Sequence, residues 1–142
     1  MNLIKAIKQH NMESVKTILE NDNEIIHTND DEALKISAYN GQYKMVLLLL
    51  DHGANIHAEN DYSLIYASNF GHYKVVKLLI KRGADIHAED DEAFQFTCQH
   101  GHLKVAKYLV SKGANIHSGN DKSIAGAVLS KNIHLINFLI DI

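Results

Sequence analysis

The sequence has no proline, no tryptophan and a single cysteine, Cys98, among its 142 residues. One cysteine excludes an intrachain disulfide framework and allows a reducing compartment. An average chain of this length carries roughly seven prolines, so their absence points to few rigid turns and much helix. Basic excess is also missing. With 14 Lys plus Arg against 17 Asp plus Glu, the formal charge is −3, which excludes a general polyanion binder and argues against nucleic acid as a partner. Long apolar runs are absent too. The longest, Met45 to Leu50, is far short of the roughly 20 residues a membrane helix requires, so no membrane partner is expected. The start, Met1-Asn2-Leu3-Ile4-Lys5, lacks the apolar stretch of a secretion signal, and a cytoplasmic location is expected. At 46% hydrophobic and 22% charged, the composition is that of a globular chain of one domain.

What is present is a period. Asp31, Asp61, Asp91 and Asp121 recur every 30 residues. Gly41, Gly71 and Gly101 do the same, as do Gly53, Gly83 and Gly113. His27, His57, His87 and His117 form another column, each after an isoleucine. The units are 1–30, 31–60, 61–90, 91–120 and a truncated 121–142, and together they make residues 1–142 a single domain. Such short units cannot bury an apolar face alone, so they must stack into one continuous core.

Each unit reads as two helices, about Asp61 to Phe70 and about Tyr73 to Arg82 in the clearest copy. Asp61 is expected to cap the first helix by accepting a first-turn backbone N–H. Gly71 and Gly83 end the two helices. Val75, Val76, Leu78 and Leu79 have helical spacing. The Ala-Asp-Ile-His-Ala stretch that follows is a short connector, with room for a strand-like bridge. Leu34, Leu64, Phe94 and Ile124 form an anchoring apolar column. Small residues at Ala38, Ser68 and Cys98, and at Ser37, Ala67, Thr97 and Ala127, permit close stacking.

These residues resemble the ankyrin repeat. Leu64, Ala67, Gly71, His72, Val75, Val76, Leu78, Leu79, Gly83, Ala84 and Asp85 fall on that family's pattern, and Gly101, His102, Gly113, Ala114 and Asn115 repeat it. The unit is 30 residues where the family has about 33. The missing residues fall between Gly83 and Phe94, and the Thr-Pro pair is replaced, for example by Tyr62-Ser63. With His in place of Asn in the last motif, the chain looks most like the short repeats of giant viruses that infect amoebae. The resemblance implies an all-α ankyrin-repeat solenoid of about five stacked helix pairs with shortened hairpin loops. It further implies a non-catalytic scaffold that binds a host or regulatory protein through a concave first-helix face and the loop edge. If the chain is viral, the host cytoplasm is its place of action.

Charge is segregated along the unit. The loop edge carries Asp30, Asp31, Glu32, Glu59, Asp61, Glu89, Asp90, Asp91, Glu92 and Asp121, while the second helices carry nine of the 14 bases. An acidic rim steers a basic partner segment; the same acids also serve helix starts and solubility. The cluster Glu89, Asp90, Asp91 and Glu92 exceeds what capping needs and is the preferred acidic contact. On the first-helix face the variable positions are Tyr39, Asn40, Ile65, Tyr66, Asn69, Phe70, Gln95, Gln99 and His100, with Phe96 nearby. Phe70 is the sharpest, because its column is otherwise Asn40, His100 and Ser130. Aromatic side chains dominate interface energies; Tyr66 and Phe96 are also suited to packing between units.

No cofactor and no metal is expected. Stacked helices lie roughly 8–10 Å apart, too far for adjacent rungs of the His column to share an ion with ligand bonds of about 2 Å. Each of these imidazoles is expected to hold a loop backbone group. Cys98, His100 and His102 occupy different columns and are expected to diverge. His72 and His102 should tie the turns to backbone groups, with Gln42 and Asn132 in the same role. There is no phosphate loop, metalloprotease helix or nucleophile elbow. The N-terminal unit is polar where others are apolar, at Lys8 and Glu13. The C-terminal unit keeps Ile133, Leu135, Ile136, Phe138, Leu139 and Ile140. That end is therefore expected to be under-capped, and association through it is the alternative function. A monomer is favoured over a homodimer.

Overall fold

The computed structural model describes residues 1–142 as ten helices without a strand. They are α1 (Leu3–Lys8), α2 (Met12–Asn21), α3 (Glu32–Tyr39), α4 (Tyr43–Asp51), α5 (Tyr62–Asn69), α6 (Tyr73–Lys81), α7 (Ala88–Gln99), α8 (Leu103–Ser111), α9 (Ser118–Ser130) and α10 (Ile133–Ile140). A short 3₁₀ turn, Asn23–His27, follows α2. The odd helices α1, α3, α5, α7 and α9 pack in sequence as one layer, and α4, α6, α8 and α10 form a second. Each unit after the first contributes one helix to each layer.

The 30-residue columns are the reason for this order. Leu34, Leu64 and Phe94 are buried between the layers, as are Val75, Val76, Leu78 and Leu79 of α6. Burying each side chain of that size contributes roughly 1.5–3 kcal/mol before entropy is counted. Ala38, Ser68 and Cys98 are fully buried, as are Ser37, Ala67 and Thr97, so that successive first helices pack face to face. One core runs unbroken from Leu3 to Leu139.

Gly41 and Gly71 sit at the turn between the two helices with φ of +66° and +70°. A Cβ at Gly41 would lie 2.5 Å from Nδ1 of His72, and one at Gly71 the same distance from Nδ1 of His102. Glycine here meets two demands at once, a left-handed backbone and close approach of the next unit's imidazole. That imidazole is held in turn. Nε2 of His72 donates to the Tyr39 carbonyl at 2.8 Å, and Nε2 of His102 to the Asn69 carbonyl at 2.9 Å. Gln42 and Asn132 do the same work, reaching the carbonyls of Ile7 and Gly101.

The connectors are turns, with no strand-like bridge. Each closes on three successive left-handed residues: Asn29-Asp30-Asp31, Glu59-Asn60-Asp61, Glu89-Asp90-Asp91 and Gly119-Asn120-Asp121. Asn and Asp tolerate this region because their short polar side chains bond locally. The true start of the helix within α7 is therefore Glu92, and within α9 Lys122.

Three sequence expectations change. Asp61 precedes α5 but its carboxylate accepts no first-turn N–H of that helix; its φ is +60°. The His column binds Asp carboxylates rather than loop backbone groups, as described below. The first unit also has its own register. Asn11 N–H bonds the Ala6 carbonyl as Gln42 N–H bonds that of Ser37, so α1 is offset by 31 residues, not 30. Ile7, fully buried, occupies the position assigned to Lys8, and Met12 the position assigned to Glu13. The N-terminal unit is thus apolar inside, with Lys8 exposed at the end of α1.

Candidate functional site

The side chains of the first-helix layer converge on an aromatic cluster. Tyr39 projects from the end of α3 and Phe70 from the end of α5, with ring centroids 4.5 Å apart and planes at 61°. Tyr39 meets Tyr66 edge-on at 5.9 Å, and Tyr66 meets Tyr62, one helical turn earlier, at 5.4 Å. Phe70 also stacks on the His72 ring at 6.2 Å. These are favoured aromatic geometries. Tyr39 and Phe70 are nonetheless 47% and 43% exposed, so the cluster is ordered by its own contacts while its outer faces meet water. Tyr66 and Phe96 are half-buried.

Carboxylates surround the cluster. An open hollow of about 310 Å³ is lined by Glu32, Lys35, Ile36, Tyr39, Glu59 and Tyr66. Lys35 is its one base, and it is bound to Glu59 at 2.8 Å. A second hollow of about 350 Å³ lies further along, between Glu92, Gln95, Phe96, Gln99, Lys122 and Leu129 among others. Burial pushes the Glu92 carboxyl above its ordinary range, and the nearby Glu89 charge adds to this while Lys122 opposes it. Glu92 in turn pushes the Tyr62 phenol up, with burial and Tyr66, Glu89 and Glu59 in support. The carboxylates of Glu92, Glu89 and Glu59 thus lie close enough to Tyr62 to oppose a further negative charge there.

The expected site residues separate into two groups. Tyr39, Asn40, Phe70, Gln99 and His100 are exposed, and Tyr66, Asn69 and Gln95 are half-buried on the same layer. Ile65 is not available: it is 1% exposed and belongs to the core. Its column neighbours Lys35 and Gln95 made it read as a surface position. The acidic cluster also divides. Asp91 is buried at 4% exposure, so it is no contact for a partner. Its Oδ1 accepts the backbone N–H of Asn115 at 2.8 Å, and both carboxylate oxygens lie 3.2 Å from Nδ1 of His87. Asp90 is exposed and accepts the Gly119 N–H at 2.8 Å, and Glu89 accepts from the Asn60 amide at 2.6 Å. Glu92, half-buried beside Tyr62, is the member turned toward the aromatic cluster. Tyr62 itself was missed; its helical spacing to Tyr66 is the signal that would have found it.

The His column lies apart from this site. His27, His57 and His87 each place Nδ1 on the aspartate four residues on, Asp31, Asp61 and Asp91. Nothing in that geometry gathers a metal ligand set. Cys98 is buried with its thiol pushed up to about 12 by burial. His100 and His102 stack at 6.2 Å, but each donates to a backbone carbonyl of its own.

Helix pairs stacked in two layers, joined by turns at a fixed interval, define a helical repeat protein. The family model for ankyrin repeats (3 copies) matches residues 3–90 and 64–142, nearly the whole chain, and the chain belongs to the ankyrin-repeat family. No curated protein matches it. Ankyrin repeats are generally protein–protein interaction modules and are typically non-catalytic. No helix is long and apolar enough to cross a membrane.

Proposed function

We propose that the chain is a non-catalytic recognition scaffold whose concave first-helix face and loop edge bind a basic segment of a host or regulatory protein. The observation that carries this is the Tyr39–Tyr66–Phe70 cluster, exposed on its outer side and bordered by Glu32, Glu59 and Glu92. Aromatic anchors supply the contact area, and the surrounding carboxylates select a cationic partner and speed its approach. Tyr66 and Phe70 combine with Asn40, Gln95, Gln99 and His100 to give polar positions for specificity. The short repeat and its His columns favour an origin in a giant virus of amoebae, the host cytoplasm as the place of action, and a monomer as the active form.

The test is capture from an amoebal lysate with wild type and with a Tyr39→Ala, Phe70→Ala double variant of verified helicity. A protein retained by wild type and lost by the variant supports the reading. Equal retention moves the site off this face.

A second reading rests on the C-terminal unit. Val128, Leu129, Ile133, Ile140 and Ile142 are all more than half exposed. Asp121 is exposed as well, and its carboxylate bonds His117 but no backbone N–H, unlike its three counterparts. This end suits association with another apolar face. A concentration-dependent mass by light scattering, abolished by Leu129→Asp, would favour assembly over the monomeric scaffold.

A further inference from the structure

The second-helix layer carries a groove that the preceding reading does not use. α6 and α8 together bear Lys74, Lys77, Lys81, Lys104 and Lys107 and not one Asp or Glu. All five lysines are exposed, and none is in an ion pair. The single acid of α4, Asp51, is already bound to Arg82 at 2.6 Å. On an exposed helix, lysines at spacings of three and four repel one another, and acids are ordinarily interspersed to offset this. Lys74, Lys77 and Lys81 have that spacing and no such relief.

The surface between these lysines is hollow and aromatic. An open cavity of about 520 Å³ is lined by Tyr43, His72, Tyr73, Lys74, Lys77 and Lys104 among others. A second, of about 380 Å³, is lined by Tyr43, Lys74, Lys77, Leu78 and Lys81. They share Tyr43, Lys74 and Lys77, so they form one groove across α4 and α6. No carboxylate lines either part. Lys104 is placed by a ring: its Nζ stands 4.3 Å over the Tyr73 ring, and Tyr73 meets Tyr108 edge-on at 5.7 Å. A lysine set over a ring keeps its ammonium where an incoming anion finds it.

We propose that this groove binds an acidic peptide segment, with carboxylates on Lys74, Lys77 and Lys104 and apolar side chains between them on Tyr43, Tyr73 and Leu78. Charge complementarity selects the occupant. The ring-and-leucine floor favours a peptide over a nucleic acid. A phosphate polyanion calls for a basic protein, and this chain carries −3. The chain then has two faces of opposite preference, and can hold an acidic segment on the second helices while the first helices hold a basic one. The inference is independent of the first-helix reading.

The experiment is fluorescence anisotropy at low salt with a labelled peptide of alternating glutamate and leucine. Its controls are the glutamine–leucine peptide and a single-stranded oligonucleotide of similar charge. Wild type binds the glutamate peptide, and Lys74→Glu, Lys77→Glu, Lys104→Glu weakens it roughly tenfold or more. The milder Lys→Gln triple variant shows a smaller loss and guards against misfolding of the first. A Lys8→Glu variant, at the exposed lysine that ends α1 and outside both faces, does not weaken it. The proposal is overturned if wild type does not bind, if the glutamine peptide binds equally, if the lysine variants bind as wild type, or if the oligonucleotide binds more tightly than the peptide.

Discussion

Asp61 accepts the backbone N–H of Asp85 at 2.9 Å, and so fastens the loop that opens its helix pair to the loop that leaves it. The same carboxylate takes Nδ1 of His57 at 3.0 Å, and the arrangement recurs at Asp31 with Asn55 and at Asp91 with Asn115. All three aspartates are 4% exposed. A buried charge without these donors would be costly, and the N–H groups left behind would be unsatisfied. Asp61→Ala is therefore expected to destabilise the chain by about 1.5–3 kcal/mol, read from urea unfolding. Asp121→Ala, at the exposed copy of the same position, should stay within about 0.5 kcal/mol. Equal effects at the two sites would mean that burial and the backbone bond are not what the column contributes.

Lys131 stands where Gly41, Gly71 and Gly101 stand in the preceding units, and it keeps their backbone, with φ of +56°. A side chain in the left-handed region costs roughly 1–2 kcal/mol, and glycine at a helix C-terminus avoids it. Lys131→Gly should raise stability by about 1 kcal/mol. The matching Gly71→Ala should lower it by more than that, since its Cβ would also meet His102. Thermal unfolding of both variants checks the pair; a destabilising Lys131→Gly would point to a contact of the lysine stem that outweighs the backbone.

The period made the architecture legible. Helix positions, the buried columns at Leu34, Leu64 and Phe94, and the role of His72 and His102 all follow from residues that recur at fixed intervals. What the interval conceals is conformation. Asp at the head of a helix reads as a cap whether its φ is negative or positive, so the buried carboxylates of Asp31, Asp61 and Asp91 looked like surface acids. Ile65 was hidden for the opposite reason: column neighbours that are polar say nothing of a position where the local packing differs. The first unit is shifted by one residue because α2 holds ten residues where α4, α6 and α8 hold nine, a change that leaves no gap in the letters.

Glu92 provides a pH test. Its carboxyl is raised above the ordinary 4.5 by burial and by Glu89. A raised carboxyl binds its proton more tightly in the folded chain than in the unfolded one, so ionisation works against folding. That cost is absent below the unfolded value and grows as pH rises through the folded one. Glu92→Gln should therefore match or exceed wild-type stability near pH 7, with the difference vanishing at pH 4 and below. A variant that loses stability at pH 7 but not at pH 4 would show that the Glu92 charge is favourable where it stands, for instance through Lys122.

Cys98 carries the remaining test of the packed first-helix layer. Its thiol lies in the same column as Ala38 and Ser68 and is pushed up to about 12 by burial, from an ordinary 9.0. The thiolate is the reactive form, so a native thiol both enclosed and held neutral should resist a disulfide-exchange reagent at pH 8 and react promptly in concentrated urea. The linkage has a sign. Because the unfolded thiol ionises first, wild type should lose stability between about pH 9 and pH 12, and Cys98→Ser should lose less over that window. Serine is the natural replacement, since Ser68 already occupies the position one unit earlier. Rapid labelling of the native chain at pH 8 would mean that α5, α7 and α9 separate readily, and that the stack is looser at its centre than its fully buried columns imply.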